Sequence, residues 1–207
     1  MVSSAELVQL LRAERVMPII RSTASEDAVA IGRTLIDAGF RVLEVSLTTP
    51  GALDAIAELS EDPRAEIGAG TVLTATDVSA ATAAGASFMV TPAVTASIEV
   101  SAAAGIPVLA GALTPTEVLA ALERGATAVK LFPAEFGGPS YLSALRSPLP
   151  DAPIIPVGGV DVESGHEYLR RGALAVGVGS PLTGTGPVDL TAISSRAAAF
   201  RALASAP

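Results

Sequence analysis

The chain carries a single amine side chain. Of its 13 basic residues, Lys130 is the one lysine and the rest are arginine. It lies in an apolar stretch, Ala126-Thr-Ala-Val-Lys-Leu-Phe-Pro133. Arginine is in effect always charged and cannot act as an amine nucleophile, whereas a lysine shielded from water can attack a carbonyl and form a Schiff base. The competing explanation is a lysine that ends a strand and meets solvent. A second ionisable residue sits in a similar setting, Glu44 in Val42-Leu-Glu-Val-Ser-Leu47. An amine and a carboxylate together make a nucleophile and a proton carrier, or else a buried ion pair that holds the fold. Two further pairs, Gly158-Gly159 and Gly179-Ser180, allow close backbone approach to an anion, although each taken singly is also an ordinary tight turn.

These residues must be brought together by repeating elements. A helical segment, a small residue, a glycine and an apolar strand recur at Gly39, Gly85, Gly105, Gly125 and Gly172, spaced 46, 20, 20 and 47 residues apart. Glycine after a helix is a left-handed C-terminal cap. Each long gap hides one more unit, Ala65-Glu-Ile-Gly68 and Ile154-Ile-Pro-Val157, with proline as the punctuation. The opening strand Val16-Met-Pro-Ile-Ile20 brings the number of strands to eight. Glu26–Ile36 and Thr114–Leu122 carry apolar residues at helical spacing, with Ser25 and Thr114 as N-caps and Glu117 completing a capping box. Strand and helix alternating at this interval predict a parallel sheet. Eight units predict an α/β fold, a compact (β/α)8 TIM barrel forming one domain over residues 1–207. An open doubly wound sheet is the competitor. Its early glycine-rich nucleotide loop is missing from the first turn, Ile20-Arg-Ser-Thr-Ala-Ser25.

In such a barrel the chemistry gathers at the C-terminal ends of the strands. Those ends hold Arg21, Glu44 with Ser46, Gly68 to Thr71, Thr91-Pro92, Gly111, Lys130, Gly158-Gly159 and Gly179-Ser180. Alternation along the second strand puts Val42, Glu44 and Ser46 inside the barrel and Leu43, Val45 and Leu47 against the helices. Lys130 shares its face with Ala128 and Ala126, which leave room for a ligand. The last two strand ends are where barrels often bind phosphate. Thr71 is placed to bond a ligand carboxylate or to cap the next helix, for which Thr74 and Thr76 are clearer caps.

Composition narrows the remaining classes. Half the residues are apolar but 3% are aromatic, so the core is built from Ala, Val, Leu and Ile. No apolar run is long enough for a membrane span. The opening Met1-Val-Ser-Ser-Ala-Glu6 lacks a basic segment followed by an apolar one, so no signal peptide is expected. The absence of Cys fits a cytoplasmic protein. A net charge of −8 with no basic stretch argues against a nucleic-acid partner. No cofactor and no metal are expected: His166 is the one histidine and falls in the expected helix Glu163–Arg171. A magnesium site using Glu44 and another carboxylate stays open.

The segments Leu43-Glu-Val-Ser-Leu-Thr-Thr-Pro50, Ile67-Gly-Ala-Gly-Thr-Val-Leu73, Val90-Thr-Pro92, Val129-Lys-Leu-Phe-Pro-Ala-Glu135 and Pro156-Val-Gly-Gly-Val160 resemble the class I 2-keto-3-deoxy-6-phosphogluconate aldolase family. The resemblance runs from Val16 to about Thr183. It implies a homotrimer of metal-independent barrels acting on a phosphorylated keto sugar acid and pyruvate. By the same resemblance Lys130 forms the Schiff base, Glu44 moves protons, Thr71 helps hold the carboxylate, and Gly158, Gly159, Gly179 and Ser180 bind the phosphate. Pro92 and Phe132 join them as substrate-binding residues. One departure stands out: gluconate-type members have Arg where this chain has Thr48. Galactonate-type relatives also lack that Arg and have one where Arg21 stands, which implies that Arg21 faces the substrate and leaves the C4 preference undecided. The readings from other classes are a phosphosugar isomerase or synthase without imine chemistry, and a non-catalytic phosphate-ligand sensor.

Overall fold

The computed structural model describes residues 2–205. Eight parallel strands alternate with helices: β1 Val16–Ile20, β2 Val42–Ser46, β3 Glu66–Gly70, β4 Phe88–Val90, β5 Val108–Ala112, β6 Ala128–Leu131, β7 Ile154–Pro156 and β8 Val176–Val178. Neighbouring strands follow chain order, and β1 also pairs with β8. A parallel bridge from Val157 to Gly177, with the Leu174 N–H donating to the Ile154 carbonyl at 2.8 Å, joins β7 to β8 and closes the ring. The result is the expected (β/α)8 barrel.

Two apolar clusters follow from the alternation of side chains. Val16, Ile20, Leu43, Val45, Ile67, Met89, Val129 and Leu131 point outward and pack with the helices. Met17, Ile19, Val42, Phe88, Val90, Leu109, Ala128, Ile155 and Val157 fill the barrel. The β2 assignment therefore holds. Ala126 does not share the face of Lys130: it precedes β6 and packs against the outer cluster.

The helices are α1 Ser4–Glu14, α2 Ser25–Asp37, α3 Ala52–Leu59, α4 Ala75–Ala83, α5 Ser97–Ala103, α6 Pro115–Glu123, α7 Gly138–Arg146, α8 Val162–Arg170, the short α9 Ser180–Thr183 and α10 Leu190–Arg201. All five repeat glycines have positive φ, between 72° and 94°, as left-handed caps require. Thr114 caps α6 as expected. The Glu117 N–H donates to Thr114 Oγ1, and the Thr114 N–H donates to Glu117 Oε2 at 2.8 Å. The backbone N–H groups of Thr114 and Leu113 hold the Glu117 carboxyl below its ordinary value. Ser25 is not a cap: extended Ala24 occupies that position without a side-chain bond, and Ser25 is the first residue of α2.

Helix α1 was not anticipated, and it plugs the N-terminal mouth of the barrel. Its Leu7 and Leu11 are fully buried in the interior cluster. Strand β3 runs through Gly68 and ends at Gly70. The Phe88 ring occupies the space that a side chain at Gly68 would need, and the Glu44 carboxylate does the same at Gly70. Glycine at these two interior positions lets a narrow barrel hold an aromatic ring and a carboxylate in adjacent layers.

Candidate active site

Strand alternation points Glu44 of β2 and Lys130 of β6 into the same end of the barrel. Their side chains meet across it, Lys130 Nζ lying 3.5 Å from Glu44 Oε1. Lys130 is 7% exposed and Glu44 1%. Glu44 is wedged against the backbone of Gly70. Its Oε1 faces the amine, while its Oε2 is buried with no hydrogen-bond partner. A buried, half-satisfied carboxylate is costly unless it serves a reaction or a ligand. The Phe132 ring, its centroid 5.5 Å from Nζ, covers the ammonium form of the lysine from another side.

Above this pair opens a cavity of about 420 Å³. Lys130, Arg21, Thr71, Pro92 and Phe132 form part of its wall, and Gly158, Gly159, Gly179 and Ser180 form another part. Every expected substrate-binding residue is therefore on one cavity. Glu44 does not line it and reaches it through the lysine. Ile19, Val157, Pro181, Thr183 and Thr185 complete the wall. Pro181, Thr183 and Thr185 were missed because the turns after β8 carry no periodic signal, whereas Ile19 and Val157 are inward barrel positions whose place on the wall the sequence did not single out.

The backbone around the cavity is held in unusual conformations. Gly158 and Gly159 have φ of 100° and 70°. Gly179 is the N-cap of α9. Among the described residues, the N–H groups of Gly158, Gly159, Gly179 and Ser180 donate to no acceptor in the protein. Four free amides on one wall, two of them at the start of a helix, form the kind of cradle that accepts an anion. The turn after β6 is anchored behind them. The Ala134 N–H donates to the Val157 carbonyl, and the buried Tyr168 hydroxyl donates to the Ala134 carbonyl at 2.9 Å. Burial pushes the Tyr168 phenol up, so it stays a donor.

Thr71 is left-handed, with φ 61°, which costs a β-branched residue roughly 1–3 kcal/mol. It does not cap α4. Thr74 does, accepting from the Asp77 N–H at 3.1 Å. Its hydroxyl is instead bonded to buried Ser46 Oγ at 3.0 Å, and Ser46 in turn to Thr48 Oγ1 at 2.9 Å. This chain of three hydroxyls aims Thr71 at the cavity. The β2 alternation already pointed Ser46 inward, but the strained turn that completes the contact has no sequence signature.

His166 is exposed on α8. Among the described residues no three His, Asp or Glu side chains gather around one point that would suit an ion. No helix among them is long and apolar enough to cross a membrane.

A closed parallel barrel with a buried lysine–carboxylate pair beneath an amide-lined cavity is the layout of a barrel enzyme able to form an imine. The family model for KDPG and KHG aldolases matches residues 7–195, and the chain belongs to that family. The 2-dehydro-3-deoxy-phosphogluconate aldolase of Pseudomonas aeruginosa is 38% identical over 169 residues, which are 80% of this chain and 77% of that protein. The 2-dehydro-3-deoxy-6-phosphogalactonate aldolase of Escherichia coli K12 is also 38% identical, over 88% of this chain and 90% of its own. Among solved structures, the KDPG aldolase of Legionella pneumophila with pyruvate captured as a covalent carbinolamine has a TM-score of 0.80 and 30% identity, covering 95% of each chain.

Proposed function

We propose that this chain is a class I aldolase that reversibly cleaves a 2-keto-3-deoxy-6-phospho sugar acid to pyruvate and glyceraldehyde 3-phosphate. The buried Lys130–Glu44 pair under the cavity is the observation that carries this reading. The neutral amine of Lys130 adds to the C2 ketone to give a carbinolamine. Loss of water leaves an iminium conjugated to the bond that must break. Glu44 takes the proton of the C4 hydroxyl, C3–C4 breaks, and its electrons flow into the iminium as an enamine. Glu44 then returns a proton to C3, and hydrolysis frees pyruvate and the lysine. The carbinolamine captured in the Legionella relative supports this route. Borohydride added with pyruvate tests it: one reduced pyruvyl group should map to Lys130. Labelling confined to the N-terminal amine, or none, would sink the mechanism and favour an imine-free barrel.

Thr71 and Arg21 hold the substrate carboxylate in this reading, with Pro92 and Phe132 as apolar walls. The free amides of Gly158, Gly159, Gly179 and Ser180 take the distal phosphate. The enzyme works as one domain spanning residues 1–207, as a cytoplasmic homotrimer. Exposed apolar side chains on its surface, Phe136 at 77% above all, fit burial between copies.

The phosphate cradle gives a selective prediction. Gly159 has a left-handed backbone, and an added Cβ would fall 2.6 Å from Glu135 Oε2. Gly159→Val should weaken use of phosphorylated substrate by about 10²-fold, while condensation of pyruvate with an unphosphorylated aldehyde changes little. Equal loss for both would mean that the glycines shape only the turn.

Arg21 gives a second. Thr48 bears no charge and is tied to Ser46, so Arg21 is the cation on the cavity wall besides Lys130. Arg21→Ala should raise KM for pyruvate by about tenfold, the value of one charge-assisted hydrogen bond. Without a bulky cation at position 48, wild-type enzyme should cleave the gluconate and galactonate epimers at comparable rates. The two 38% relatives, one of each type, favour neither. Strict selectivity for the gluconate epimer together with a kinetically silent Arg21→Ala would refute both halves.

A further inference from the structure

A second cavity of about 420 Å³ opens at the opposite end of the barrel, among segments that precede β1, β7 and β8. Three arginines line it: Arg12 and Arg15 from the end of α1, and Arg146 from the last turn of α7. Asp151 is the one carboxylate on its wall. Among the described residues, six arginines have a carboxylate within 4.0 Å, and none of these three is among them. In a chain of net charge −8, three guanidinium groups without carboxylate partners converge on this one cavity.

The guanidinium of one of the three, and the backbone of a second, are held in place. The Arg146 guanidinium donates through Nη1 to the Arg171 carbonyl and through Nη2 to the Pro150 carbonyl, each at 2.9 Å. It lies flat against the Gly172 backbone, where any side chain would overlap it. Its Nε is shut from solvent and has no partner. Arg15 is the left-handed cap of α1, φ 58°. Its N–H donates to the Leu11 carbonyl, and its carbonyl accepts from the Val176 N–H at 2.8 Å. The charge balance favours an anion. The carbonyl ends of α1, α7 and α8 each contribute roughly half a negative charge and Asp151 one more, so three full positive charges leave a small positive excess. The volume lies within the range of small-ligand sites. Guanidinium forks match the oxygens of a phosphate or carboxylate, and each Nη of Arg146 keeps one N–H beyond its carbonyl bond.

We propose that this cavity is a second anion site, separate from the catalytic one, which takes a phosphate monoester or a similar small dianion. Its occupant bridges the α1 plug to the loops that lead into β7 and β8, so it stabilises the barrel and leaves the chemistry at the other end untouched.

Melting temperature in inorganic phosphate, against chloride at matched ionic strength, tests this on three proteins. They are the wild type, Arg12→Gln/Arg15→Asn, and the charge-matched control Arg41→Ala/Arg124→Ala. Asn is chosen at position 15 because it tolerates the left-handed backbone. Phosphate in the catalytic cradle raises all three alike, so differences among them report the far site. At phosphate ten times its dissociation constant there, the rise for Arg12→Gln/Arg15→Asn should fall short of the other two by about 3–6 °C. Its aldolase turnover should stay within about twofold of wild type, because no reacting group is touched. An equal rise in all three proteins, or an equal shortfall in the control pair, would overturn the proposal.

Discussion

Lys130→Arg is expected to abolish aldol cleavage, lowering turnover by about 10⁴-fold or more, as far as Lys130→Ala does. The substitution keeps the positive charge, much of the length and a donor toward Glu44. What it removes is the ability to become a neutral amine, since a guanidinium stays charged at any pH the protein survives. A residue that only paired Glu44 inside the barrel would tolerate arginine far better, because guanidinium–carboxylate pairs form readily in buried settings. The variant therefore separates the two roles of the pair that lies 3.5 Å apart. Thermal unfolding should be measured beside kinetics. A well-folded, inactive Lys130→Arg that takes up no pyruvyl label on borohydride reduction is the expected result. Substantial activity in that variant would reject covalent catalysis. With one lysine in the chain, the N-terminal amine is the single other primary amine that pyruvate can label, and peptide mapping tells the two apart.

The positions of Lys130 and Glu44 were readable in the sequence because a strand has a period of two. Once the repeating glycines set the frame of the strands, the inward side chains of β2 followed, as did Lys130 and Ala128 of β6, and the five helix caps appeared where expected. The amide-lined wall was readable for a related reason: barrels reuse the last two strand ends, and Gly158-Gly159 and Gly179-Ser180 stand there. Other features depend on contacts between distant segments. Ala126 was assigned to the inner face by extending the β6 alternation past the point where the strand begins. Gly68 and Gly70 were placed at the end of strand three, but why glycine stands there was not readable. Their place within β3 makes sense only once Phe88, 20 residues away, and Glu44 are seen to fill the space above them. Helix α1 went unrecognised as a plug because it lies outside the repeat. The strain at Thr71 was hidden because nothing in Gly-Thr-Val distinguishes a left-handed threonine from an extended one.

The second large effect is expected at Glu44. Glu44→Gln should lower turnover by roughly 10²–10⁴-fold with substrate binding largely kept, which is the usual worth of a positioned acid–base group. The amide has nearly the same volume, so it still fits against Gly70, where space is tight. It can still accept a hydrogen bond from Lys130 through its oxygen. It cannot carry a proton between the C4 hydroxyl, the departing water and C3. Two of the proposed steps should fail to different degrees. Imine formation with pyruvate, which water can assist at the half-open cavity, should slow, yet borohydride should still trap the adduct on Lys130. Exchange of the pyruvate methyl protons with solvent depends on proton transfer at C3 and should fall with turnover. If exchange persisted at the wild-type rate while cleavage was lost, Glu44 would act only at the C4 hydroxyl. Near-normal turnover would remove it from the mechanism altogether. Chelation by EDTA should leave the wild type unchanged. A loss restored by magnesium would instead assign the unpartnered Oε2 of Glu44 to a metal. That oxygen is buried and has no protein partner, which leaves it open to a proton in transit or to a cation. The amide variant and the chelator tell the two apart, since the amide removes the proton carrier while chelation removes only a cation.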